Sequence, residues 1–230
     1  MLLSACGPES VAFEVDASLS QAIAMLELVE ATETLARAQA RDLDDWGEAG
    51  GQLPRAWLHI GDERSGAGAG HGARVVSIVG ILAKAVGDAL GPRAREILRT
   101  AARTHEVGRL LGAATRAEVA GRSAQLLDDL GFDRGVAEVI RDAAVPWSPG
   151  VPLAARILSL ADRLDHDAVS RCQAGADDAD AIRVALANTI AGAGETTDPE
   201  LARSLDGQRE SLESMWVLQR QVDAPTGMGF

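Results

Sequence analysis

The chain has 230 residues, 47% hydrophobic and only 3% aromatic, enough apolar material for one sizeable core and too much for wholesale disorder. Against 34 acidic residues stand 22 basic ones, a net charge of −12, which excludes the broad basic face that nucleic acid requires and fits a cytoplasmic protein. Ala, Leu, Arg and Glu dominate, residues that lose little side-chain freedom in a helix.

Near the start, Leu3-Ser4-Ala5-Cys6-Gly7 has the form of a bacterial lipoprotein cleavage box, but no charged or apolar stretch precedes it, and it is read as a chance match. A first helix is expected from Ser18 to Trp46, where Leu19, Ile23 and Leu26 share a face, with Gly47, Gly50 and Gly51 ending it. The apolar run Trp57-Leu58-His59-Ile60 fits strand or helix, and Gly66 to Gly72 reads as a flexible connection. From His71 to Leu90 the stripe Val75, Val79, Leu82, Val86 and Leu90 predicts a helix, closed by Gly91-Pro92, which opens the next. That next helix carries Ile97, Leu98, Ala101, Ala102, Val107, Leu110 and Leu111 and ends at Gly112. Further helices are expected at 115–130, 134–145, 152–173, 178–191 and 198–222, with Pro152 in the first turn of its helix. Strand-like alternation is nowhere sustained, so the expected class is all-α, a helical bundle with additional N- and C-terminal helices.

Four segments follow: an N-terminal helical segment over 1–65, a core over 66–173, a C-terminal helical extension over 174–222 and a disordered tail over 223–230. Asp177-Asp178-Ala179-Asp180 lacks the ligand spacing of a calcium loop and is read as a helix N-terminus. Cys6 and Cys172 are read as ordinary thiols. No run of 18 apolar residues occurs, so no membrane partner is expected, and no P-loop, HExxH or CxxC pattern is present.

The chemistry concentrates around three of the four histidines. His105 is followed by Glu106, with Arg109 one turn on, and Asp162, Asp165 and His166 are spaced i, i+3, i+4 on one helix face. Imidazole with carboxylate suits Mn, Fe or Zn, and arginine suits a phosphate.

Three segments carry a resemblance. Thr104-His105-Glu106-Val107-Gly108-Arg109 resembles the His-Asp-φ-Gly-Lys signature of the HD phosphohydrolase superfamily, with Glu for Asp and Arg for Lys. His71-Gly72-Ala73-Arg74-Val75 resembles the His-x-x-Arg-Val of HD-GYP domains, and Pro152 to Asp162 is similar to their Pro-Leu-x-x-Arg-Ile-Leu-x-φ-Ala-Asp. Order and spacing agree over roughly residues 70–170. The departures are Ala117, Ala143 and Ala144 where HD-GYP proteins place histidines, and Val145-Pro146-Trp147-Ser148-Pro149-Gly150 in place of the Gly-Tyr-Pro loop. Ser18 to Leu26 also resembles a helix of HDOD domains, relatives that generally lack the metal ligands.

The resemblance implies metal ligation by His71, His105, Glu106 and Asp162, with His166 able to add an imidazole and Arg109 a phosphate contact. The missing histidines speak against the multi-metal hydrolysis of cyclic di-GMP. The favoured expectation is a non-catalytic signalling module that contacts a protein partner, with homo-oligomerisation open and no cofactor. The alternative is a phosphohydrolase with one divalent Mn, Fe or Zn.

Overall fold

The structure, a computed structural model, describes residues 70–223. The expected Ser18–Trp46 helix, Cys6, the Trp57–Ile60 run, most of the Gly66–Gly72 connection and the tail from Ala224 lie outside the described residues. Eight α-helices run through the described residues: α1 (His71–Ala85), α2 (Pro92–Thr104), α3 (Arg116–Asp129), α4 (Arg134–Ala143), α5 (Leu153–Gln173), α6 (Asp178–Ala191), α7 (Pro199–Gly207) and α8 (Arg209–Asp223). Two 3₁₀ turns, Gly87–Ala89 and Val107–Leu111, complete the regular structure, and no strand occurs among these residues. The protein is all-α. None of these helices is long and apolar enough to cross a membrane.

Helix α5 is the axis of the bundle. A surface helix buries about three residues in seven, whereas α5 buries 11 of its 21. Those residues include Ile157, Leu158, Leu160 and Leu164, and Ala154, Ala155, Ala161 and Ala168, whose small side chains admit close neighbours. Around it pack α1, α2, α4 and α6, while α3 pairs with α4, and α7 and α8 close over α6 and α1. Leu201, Leu205, Leu212 and Trp216 are all buried, so the chain after residue 173 joins the same core. Four helix starts carry side-chain caps for their orphaned N–H groups. Thr115 and Glu118 form a capping box on α3, while Asp133, Asp177 and Asp198 cap α4, α6 and α7. Asp177 therefore acts as the helix cap expected of the acidic run.

Several expected boundaries are corrected. The expected His71–Leu90 helix stops at Ala85, because Gly87 takes φ 56° and turns the chain into the first 3₁₀ segment. Pro152 caps α5 rather than occupying its first turn. The expected 198–222 helix is two, parted after Gly207 where no side chain favours a helical path.

The most consequential correction lies between Pro92 and Gly112, where α2 ends at Thr104 and His105 and Glu106 leave it. A Cβ on Gly108 would lie 2.4 Å from the Val119 carbonyl oxygen, so only glycine lets this strap lie against α3. Ser123 of α3 donates its hydroxyl to the His105 carbonyl at 2.7 Å and accepts from the Gly108 N–H at 2.8 Å, supplying partners to backbone that has left the helical ladder.

Candidate metal centre

Three elements bring the candidate ligands together. Helix α1 presents His71 at its first position, the break after α2 presents His105 and Glu106, and α5 presents Asp162, Asp165 and His166 on one face. Consecutive residues of a continuous helix diverge by about 100°. Leaving the helix lets His105 and Glu106 line the same cleft.

Ligand atoms of His71, Glu106, Asp162 and His166 all lie within 4.8 Å of one another. His71 Nε2 is 3.6 Å from Glu106 Oε2 and 3.6 Å from Asp162 Oδ1, and His166 Nε2 is 3.4 Å from Asp162 Oδ1. His105 Nε2 stands 3.7 Å from Asp162 Oδ1, beside this group of four. These separations are too long for hydrogen bonds. The three separations within the group of four, 3.4–3.6 Å, lie in the range of about 3.3–3.6 Å between ligands held about 2.0–2.2 Å from one metal at tetrahedral angles.

Burial makes the arrangement informative. His71 Nε2, His105 Nε2, Glu106 Oε2 and Asp162 Oδ1 are buried and have no hydrogen-bond partner among the described residues. Leaving such an atom unpaired costs about 1–3 kcal/mol, and four turned toward one another are the donor set a cation satisfies.

His71, His105, Glu106 and Asp162 are also fixed from behind, as metal ligands commonly are. His71 Nδ1 donates to Asp165 Oδ2 at 2.8 Å, and His105 Nδ1 donates to the Ala102 carbonyl at 2.9 Å, so in both rings Nε2 is the nitrogen left to face a metal. Glu106 Oε1 accepts from Arg109 Nε at 2.7 Å, and Asp162 Oδ2 pairs with Arg116 at 3.1 Å. Asp165, fully buried, also accepts from Arg74 at 2.7 and 3.0 Å and from Trp216 Nε1 at 2.6 Å. A buried carboxylate with these donors is a rigid anchor for His71.

The electrostatics agree. Burial lowers the His71 pKa, but Asp162, Asp165 and Glu106 outweigh it and hold the imidazole up to about 10. Burial raises Asp162, yet the neighbouring His105 and His71 hold its carboxyl well below the usual range, and Asp165 is lowered likewise by His71 and Arg74. His166 is lowered, chiefly by burial. The carboxylates around His71 thus favour a positive charge at its Nε2, which a proton supplies when no metal is held.

The cleft at this group has a volume of about 370 Å³ and is lined by Arg109, Arg116 and Arg163 together with the apolar Val119, Ala120, Ile140, Ala143, Ala144 and Leu158. The structure places every residue expected at the site in or beside this centre, Arg109 with its Nε committed to Glu106. Sequence reasoning gave no role to Arg74, Arg116, Arg163 or Trp216. The i, i+3 spacing of Asp162 and Asp165 put both on one face, but not that Asp165 stands behind His71. A single helical protein with a buried donor cluster under an arginine-edged cleft is therefore the class this geometry defines. No protein family, curated protein or solved structure matches the chain.

Proposed function

We propose that this chain is a metal-dependent phosphohydrolase on an HD-type helical core, holding one divalent metal through His71 Nε2, Glu106 Oε2, Asp162 Oδ1 and His166 Nε2. The observation that carries the reading is that three of these four atoms, on His71, Glu106 and Asp162, are buried, partnerless and each fixed from behind by a second polar atom of the same side chain, with the His166 ligand atom within 4.8 Å of them. The two-histidine, two-carboxylate set suits Mn, Fe or Zn.

A divalent metal, when bound, supplies Lewis acidity: it offsets phosphoryl charge and makes water a better nucleophile near neutral pH. The chain's own residues do the rest. Arg109 and Arg116 keep the two carboxylates oriented, and the apolar wall limits water in the cleft. In hydrolysis a water oxygen bonds to phosphorus, the ester P–O bond breaks, and the departing oxygen takes a proton. His105 Nε2, partnerless and on the cleft, is placed to take the proton from water and return it to the leaving group.

One observation supports the non-catalytic alternative: Ala143 and Ala144 line the cleft with methyl groups where the resemblance places a histidine pair. Elemental analysis paired with a p-nitrophenyl phosphate assay separates the readings. About one Mn, Fe or Zn per chain, lost in Asp162→Ala, together with turnover lost in the same variant, is the expected result. A protein that holds metal but hydrolyses no phosphoester returns the function to the non-catalytic alternative. Failure to bind Mn at high micromolar concentration overturns the metal centre itself.

A further inference from the structure

The cleft holds three arginines, and their engagements differ. Arg109 gives its Nε to Glu106. Arg116 is spread over Asp162 Oδ2, Ser159 Oγ at 3.1 Å and the Ala143 carbonyl at 3.2 Å. Arg163 makes no hydrogen bond or ion pair among the described residues, although its Nε is buried and its side chain borders the cleft. It follows the candidate ligand Asp162 directly on α5 and shares the cleft with Arg116. A guanidinium with a buried, unpaired Nε beside a second cation is a place where an anion is favoured.

The remaining lining is largely apolar. Val119, Ala120, Ile140, Ala143, Ala144 and Leu158 contribute to it, and no acid other than Glu106 and Asp162 lines the cleft. At about 370 Å³ the space falls at the small end of ligand pockets.

Resting on the reading above, we infer that Arg163 is the phosphate-binding group of this site, and that the substrate is a small phosphomonoester whose organic part lies on the wall from Val119 to Leu158. Arg163 binds the non-bridging oxygens, a fork-shaped cation meeting an anion at a fixed distance from the metal ligands. Arg109 and Arg116 are positioning residues for the carboxylates. The alanines at 143 and 144 are then part of the substrate wall rather than lost ligands alone.

The test titrates orthophosphate, then phenyl phosphate, into the Mn-loaded full chain by calorimetry, after metal content has been measured for each variant. Arg163→Ala is expected to keep its metal and bind orthophosphate at least about tenfold more weakly, as loss of a charged hydrogen bond implies. Arg163→Lys, which keeps the charge without the fork, is expected to fall between. Phenyl phosphate is expected to bind wild type several-fold more tightly than orthophosphate. Unchanged orthophosphate affinity in metal-loaded Arg163→Ala overturns the assignment of Arg163, and equal affinity for the two ligands overturns the apolar-wall substrate. If wild type holds no metal, the metal reading fails. The same titration on that protein then decides this proposal separately: Arg163-dependent binding supports it, and absence of binding overturns it.

Discussion

Replacing Trp216 by Phe tests whether the C-terminal helix helps build the candidate metal centre or merely covers it. Trp216 is fully buried on α8, and its Nε1 donates to Asp165 Oδ1 at 2.6 Å, while Asp165 holds His71 on the far side. The substitution removes one hydrogen bond to a charged acceptor, worth about 1.5–3 kcal/mol. The smaller ring leaves a void costing about another 1 kcal/mol. Asp165 keeps Arg74 and His71 as partners, so the cost stays below the loss of a whole buried pair. The sum is about 3 kcal/mol, within the roughly 5–15 kcal/mol of a typical domain, and corresponds to a fall in Tm of about 6–12 °C. Urea unfolding followed by far-ultraviolet circular dichroism measures it without relying on the fluorophore removed. Manganese affinity is expected to fall as well, by less than the roughly 10–100-fold typical when a ligand's direct partner is lost. A stability change under about 0.5 kcal/mol with intact metal affinity would refute the argument that Trp216 acts through Asp165.

Asp165→Asn is a harsher change, since it removes the buried charge shared by Arg74 and His71; about 3–5 kcal/mol of stability and about 10–100-fold of Mn affinity are expected to go. Electron paramagnetic resonance of free Mn gives the affinity, and a wild-type value in folded protein contradicts the role of Asp165. Gly108→Ala is expected to cost about 1–3 kcal/mol, because its methyl would meet the Val119 carbonyl oxygen at 2.4 Å. Gly80→Ala, at an exposed α1 position with nothing within 4 Å of the new methyl, is expected to gain about 0.5–1 kcal/mol. Equal effects of the two in denaturant unfolding would remove the close approach as the reason for glycine at 108. With chelator present, the His71 pKa of about 10 lies above the 6.5 of the unfolded chain, so its contribution is full below pH 6.5 and is lost as pH rises through about 10. Stability in chelator is therefore expected to decline over that window, and a curve that is flat from pH 6.5 to 10 counts against the carboxylate cage around His71.

How much of this was legible in the sequence depends on the range of the interaction. Stripes such as Val75, Val79 and Leu82, and Ile157, Leu160 and Leu164, are written by local period, and the structure buries every one of these residues. The same period misleads at His105-Glu106, because Ala101, Ala102, Val107 and Leu111 continue a helical pattern across a break. That break is enforced from outside, by Ser123 fifteen residues beyond Gly108 and by a glycine whose contact is with α3. Glycine at 108 was visible in the sequence; its neighbour was not. The i, i+3, i+4 spacing put Asp162, Asp165 and His166 on one face, yet only the tertiary structure divides their labour, sending Asp162 and His166 to the cleft and Asp165 behind His71.

The arginines were harder still. A sequence cannot distinguish Arg109 and Arg116, which sit against carboxylates, from Arg163, which has no such partner, because all three are arginines near acids in the chain. Trp216 lies 51 residues from the carboxylate it holds, and no local pattern encodes that distance. Donor types can be read from residue identity. Which of their atoms are left unpaired follows only from the packing, and it is the unpaired atoms that point to chemistry.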